Sequence, residues 1–155
     1  MSGIWGALAT AIRSIWDRRQ RRAESIEGHR AAARVKFRAV VLEALEGLYP
    51  EAPKWPGPKI DPVLRAQYSK LQRAVEEFRP FVPVELQDQF ERAWGAYYSS
   101  LKRYGQQDYQ HYQTFTSVRR APDDPERIIE TSQDGQANFK INVAALLAFA
   151  NENAR

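Results

Sequence analysis

The chain reads as an all-α protein: a small antiparallel helical bundle with a long N-terminal helix. Three observations predict this. Large apolar residues recur at i, i+3 and i+4 in five separate stretches. Prolines stand between those stretches rather than inside them. No run of several alternating apolar and polar residues appears, except over 113–118.

The first stretch is the N-terminus. Ile4, Trp5, Leu8, Ile12, Ile15 and Trp16 fall on one arc of a helix at about 100° per residue. Ser2, Gly6, Thr10, Arg13, Ser14 and Asp17 lie opposite. Residues 17–32 carry one large apolar residue, Ile26, and predict an exposed neck of about 24 Å if helical. Gly28 is a place where that neck is expected to break or bend, since glycine costs about 1 kcal/mol in a helix interior. The stripe resumes with Ala33, Phe37, Val40, Val41, Ala44, Leu45 and Leu48, wide enough to face a core. The chain is thereby divided into an amphipathic segment with its neck, 1–32, and a helical domain, 33–155.

Five prolines between Pro50 and Pro62 forbid a continuous helix there, and Trp55 is expected to pin that loop to the domain. Asp61 and Pro62 read as N-cap and first helical residue of a second helix. Its stripe is Leu64, Tyr68, Leu71, Val75 and Phe78, and Arg79-Pro80 ends it. Pro83 opens a third helix with Leu86, Phe90, Trp94, Tyr97, Leu101 and Tyr104 on one face and Gly105 as its stop. Asp124-Pro125 predicts a short helix through Ile128 and Ile129. Residues 133–136 predict a turn, and Phe139, Val143, Leu146, Leu147 and Phe149 the last helix.

Charge is uneven. Residues 1–38 hold nine Lys and Arg against three Asp and Glu, whereas the other 117 residues hold fourteen against sixteen. The basic character therefore belongs to the N-terminal part, above all to Arg18, Arg19, Arg21 and Arg22, and the domain itself has little to attract a polyanion. There is no cysteine, which excludes disulfides, thiolate metal sites and a cysteine nucleophile. His29 and His111 have no partner at ligand spacing, and no P-loop, dinucleotide fingerprint or nucleophile elbow is present. No catalytic residue, cofactor or metal is expected, and the chain reads as a non-enzyme.

The arginines follow the apolar stretch, the reverse of a secretory signal. Gly3–Trp16 would rise only about 21 Å against a hydrocarbon core of roughly 30 Å, too short to span. Trp5 and Trp16 stand at the two ends of the stripe, about 20° apart on the wheel. Indole favours the membrane–water interface, and with arginines beyond, the pattern is that of a helix lying on an anionic membrane. The same stripe also suits a protein partner, a second copy of the chain, or packing on its own domain. Two groups could instead contact nucleic acid. One is the arginine run with Arg30, Arg34, Lys36 and Arg38, although Asp17, Glu24 and Glu27 interrupt it. The other is Tyr97, Tyr98, Tyr104, Tyr109, Tyr112 and Phe115 beside Lys102, Arg103, Arg119 and Arg120, which the core stripe of the third helix explains better.

The blocks Lys36-Phe37-Arg38, Phe78-Arg79-Pro80-Phe81-Val82-Pro83, Phe90 with Ala93-Trp94 and Tyr97, and Leu146-Leu147-Ala148-Phe149-Ala150 resemble a group of small, mostly uncharacterised bacterial helical proteins. Many of these begin with a hydrophobic segment followed by a basic helix. The resemblance covers about residues 36–150. It implies a helical domain near a membrane and supplies no active site. The expectation is therefore a non-enzymatic accessory or adaptor protein, cytoplasmic and held peripherally at a bacterial inner membrane. The alternative is a cytosolic nucleic-acid- or protein-binding module whose N-terminal helix docks a partner or a second copy.

Overall fold

The computed structural model describes residues 3–100, 106–124 and 126–151, with side chains described from Gln20 onward. The chain is mostly helical: α1 (Gly3–Ala44), α2 (Ile60–Phe78), α3 (Gln87–Tyr98) and α4 (Gly135–Leu147), with β1 (Phe115–Arg120) and β2 (Ile128–Gln133) between α3 and α4. Single turns of tighter helix extend α2 at 79–81, lead into α3 at 84–86 and extend α4 at 148–150.

α1 is one unbroken helix of 42 residues, about 63 Å long. Gly28 does not interrupt it; it lies in an exposed stretch where a Cβ would meet nothing, and its cost is only the local loss of propensity. Residues 20–32 are exposed on every side. Burial begins at Ala33 and is complete at Phe37, Val41, Ala44, Leu45 and Leu48. Gly47, at φ +78°, turns the chain out of the helix, a left-handed conformation that a side chain would resist.

The core forms where the stripes of α1, α2, α3 and α4 meet, α1 packing on α2 and α3 on α4. Phe37 stacks on Phe78 with ring centroids 4.5 Å apart, and Phe90 closes on both edge-on at 6.0 and 5.7 Å. Phe149 reaches Phe90 at 5.3 Å. At the other end of the core Trp94 stacks between Tyr68 and Tyr97 at 5.6 and 5.5 Å. Trp55 does fix the proline-rich loop, through its contact with Phe139 at 5.3 Å.

Several sequence-based expectations need correction. The protein is not purely all-α, because 115–120 and 128–133 pair as an antiparallel hairpin, Phe115 opposite Gln133 and Arg120 opposite Ile128. The strand expected over 113–118 thus starts two residues later. The helix expected from Asp124 through Ile129 is instead the hairpin connection and β2. Asp124 does not cap a helix; its carboxylate accepts from the Glu126 N–H at 3.0 Å, and Arg127 pairs with Asp123 at 2.6 Å. Both strands are exposed, so neither carries the one-sided apolar alternation by which a strand is recognised.

α2 begins at Ile60, and Asp61 lies in its first turn, gripping Arg65 at 2.6 Å rather than capping. α3 stops at Tyr98, short of the expected Tyr104: Ser99 is extended and bridges Asp108, whose N–H donates to Tyr98 O at 2.8 Å. Leu101, Tyr104 and Gly105 lie outside the described residues. The turn expected over 133–136 is the start of α4, with Asp134 accepting from the Ala137 N–H at 3.0 Å as N-cap.

Two substitutions test this packing. Trp94 is 5% exposed, and Trp94→Ala should cost about 3–5 kcal/mol in chemical denaturation; a loss under about 1 kcal/mol would mean that the ring is not enclosed. Gly135 sits against the backbone of Tyr112, where an added Cβ would lie 1.9 Å from the carbonyl oxygen. Gly135→Ala should therefore destabilise by about 2–3 kcal/mol despite alanine's better helix propensity, because backbone must move to admit one methyl group. A melting temperature at or above the parent's would contradict that close approach.

Candidate interaction surface

The described residues carry two features beyond the core, a polar cluster at the foot of α4 and a groove where α1 leaves the domain.

The polar cluster is built by two asparagines one turn apart on α4. Asn138 donates to the His111 carbonyl at 3.1 Å, and Asn142 to the Ala96 carbonyl at 3.1 Å and the Tyr112 hydroxyl at 3.0 Å. Tyr112 in turn donates to Tyr97 O at 2.8 Å. Gln133 reaches the carbonyls of Gln110 and Gln113 at 2.9 and 2.7 Å. These bonds fasten 107–114, which has almost no regular structure, against α3 and α4. Asp108 accepts from the Ser100 hydroxyl and from the Gln110 N–H. Burial disfavours its charge, but those donors, with His111 and Arg65 nearby, outweigh it and hold the carboxyl below its ordinary range.

This cluster binds chain to chain and has little chemistry to offer. Burial holds the hydroxyls of Tyr97, Tyr109 and Tyr112 protonated well past neutral pH, so none of them supplies a base or nucleophile. Nor are they a stacking platform for bases, because their rings, with that of Tyr98, lie inside the core. Phe115, Arg119 and Arg120 stand apart from them on β1, exposed, and Tyr104, Lys102 and Arg103 lie outside the described residues. His111 Nε2 lies 3.0 Å from the Ala96 carbonyl, while Nδ1 is buried without a partner among the described residues. No group of three or more acids and histidines is placed to hold a metal among the described residues.

The groove lies between α1 and the end of α2. It encloses about 660 Å³ and is lined by Ile26, Ala33, Phe37 and Val40 from α1, with Ala74, Phe78 and Phe81 across from them. His29, Arg30 and Lys36 stand on its rim. Lys36 holds Glu77 at 2.6 Å, and this hydrogen bond and charge lower the Glu77 carboxyl pKa. Arg34 pairs with Glu27, two turns away on α1, at 3.2 Å.

Of the residues singled out at the N-terminus, the backbone of Ile4, Trp5, Leu8, Ile12, Ile15, Trp16, Arg18 and Arg19 is helical, and their side chains lie outside the described ones. Arg21 and Arg22 are exposed on α1. No described helix is long and apolar enough to cross a membrane. Sequence reading gave Ile26 and His29 no role in a groove, since nothing local reveals that α2 and the turn at 79–81 end opposite them. Comparison with family models, with curated proteins and with solved structures finds no match.

The His111 environment generates a pH prediction. Burial lowers its pKa below the ordinary 6.5, so the folded state resists a proton that the unfolded chain accepts. Its stabilising contribution is complete above about pH 6.5 and falls as pH drops toward the lowered folded pKa. The parent should lose stability from pH 7 to about 5, and His111→Gln should flatten that slope. An unchanged slope in the variant would assign the effect to other groups.

Proposed function

We propose that the protein is a non-enzymatic accessory or adaptor protein. Its helices form a small antiparallel bundle held peripherally at the cytoplasmic face of a bacterial inner membrane by the N-terminal part of α1. The observation that carries this reading is the continuity of α1: it enters the core at Ala33, and residues 20–32 of the same helix are exposed. An isolated helix gains little from propensity alone, so a projecting one with an apolar stripe is best stabilised by what it lies on. Ile4, Trp5, Leu8, Ile12, Ile15 and Trp16 are the contact, and Arg18, Arg19, Arg21 and Arg22 add attraction to anionic lipid of roughly 1 kcal/mol each.

A second reading draws support from the helix geometry. At 100° per residue, Leu8 and Ile12 fall on the same side of α1 as Ile26 and Phe37. A helix lying flat would press the domain toward the lipid, and the neck must tilt it clear. A protein partner or second copy, docked along that side, meets no such constraint.

Vesicle co-sedimentation of the full chain separates the two. On the membrane reading, Ile12→Asp abolishes binding at any salt. Replacing Arg18, Arg19, Arg21 and Arg22 by Gln weakens it only on anionic vesicles, and high salt reproduces that loss because surface charge is screened within about 8 Å at physiological ionic strength. If Ile12→Asp instead leaves vesicle binding intact and splits an oligomer, the stripe is a protein interface and the membrane reading fails.

A further inference from the structure

We propose that the groove between α1 and the end of α2 is a docking site for an acidic amphipathic helix of a partner protein, lying antiparallel to α1. The shape argues for a helix. The groove runs from Ile26 to Val40, about 21 Å along α1, and it is the open side of a helix pair whose other side is filled by α3 and α4. Its floor is lowered by Ala33 and Ala74, which leave room for large side chains from an incoming helix, while Val40 and Phe81, both half-buried, give them apolar surface to cover. Ile26, 55% exposed, stands at one end with no covering element among the described residues.

The charge argues for acidity. Two cationic side chains, Arg30 and Lys36, stand on the rim against one carboxylate, Glu77, and Lys36 already occupies it. Arg30 has no acidic partner among the described residues. Two turns upstream Arg22 falls on the same side of α1 as Arg30 and Ile26, so the positive charge increases toward the α1 N-terminus. Carboxylates on the incoming helix would meet these arginines. The negative end of a helix dipole is its C-terminus, which sets the direction: the partner's C-terminal end lies over Arg22 and its N-terminal end toward Val40. A second copy of α1 is a poorer occupant, since it would bring its own arginines against Arg22 and Arg30. The site needs no membrane and stands or falls apart from vesicle binding.

The test is fluorescence anisotropy with the full-length protein in vesicle-free buffer. The probe is a labelled synthetic peptide of about 18 residues, with leucines at i, i+3, i+4 and i+7 spacing and glutamates on the other face and at the C-terminus. The control carries lysines for glutamates. The acidic peptide should bind at least about tenfold more tightly than the basic one, and the preference should shrink as salt rises. Ile26→Asp and Arg30→Glu, both at exposed positions and checked by melting, should each weaken the acidic peptide about tenfold or more. Equal affinity for the two peptides would overturn the proposal, as would variants that bind like the parent, or no binding at about 100 µM. So would a dimer that Ile26→Asp splits, since the groove would then belong to a second copy.

Discussion

The stacking of Phe37 on Phe78, with Phe90 against both, is the contact on which the rest of the arrangement depends. It is where α1 becomes part of the domain. N-terminal to it, among the described residues, only Ala33 and Lys36 touch the domain closely, and residues 20–32 are exposed; C-terminal to it Val41, Ala44, Leu45 and Leu48 are buried against α2 and its neighbours. Each aromatic pair contributes about 0.5–1.5 kcal/mol beyond area burial, and three rings shared by α1, α2 and α3 also fix the direction in which α1 leaves. The same contact makes the groove, because α2 ends just past Phe78 while α1 continues beyond Phe37.

The other end of the core is organised by polar contacts. The segment 107–114 has little regular structure, so its backbone groups need partners from elsewhere. Asn138 and Gln133 supply them, Asn142 holds the Tyr112 hydroxyl, and Gly135 lets α4 approach Tyr112 closely enough for those bonds to form. The hairpin that interrupts this region is carried rather than packed: Val118 and Ile128 are 65% and 66% exposed, and two strands alone are marginal in water. Its root is steadied by Gln133, half-buried opposite Phe115 and bonded to the carbonyls of Gln110 and Gln113.

The helices were legible because their stripes bury one face. Phe37, Leu64, Leu71, Phe90, Trp94, Phe139 and Val143 were all singled out by spacing, and all are buried. The hairpin was not legible for the complementary reason: with both strands exposed, burial imposes no alternation, and Asp124-Pro125 suggested a helix cap where the chain forms an Asx turn. The early end of α3 was hidden because Ser99 breaks it through a long-range bridge to Asp108 rather than through glycine or proline. The groove was invisible for a similar reason. Ile26 reads as a lone apolar residue on a polar neck until α2 and the turn at 79–81 are placed opposite it.

We propose that α1 serves two surfaces, its last turns the domain and its first turns an external one. Hydrogen exchange along α1 in the full-length protein, with and without anionic vesicles, tests it most directly. Without vesicles the amides of 33–44 should exchange only on global unfolding, while those of 3–32 exchange far faster, because 20–32 are exposed and the proposed arrangement leaves 3–19 off the domain. Vesicles should slow exchange over 3–16 and leave 33–44 unchanged. Strong protection of 3–16 in the dilute protein alone, or no response there to vesicles, would contradict the account.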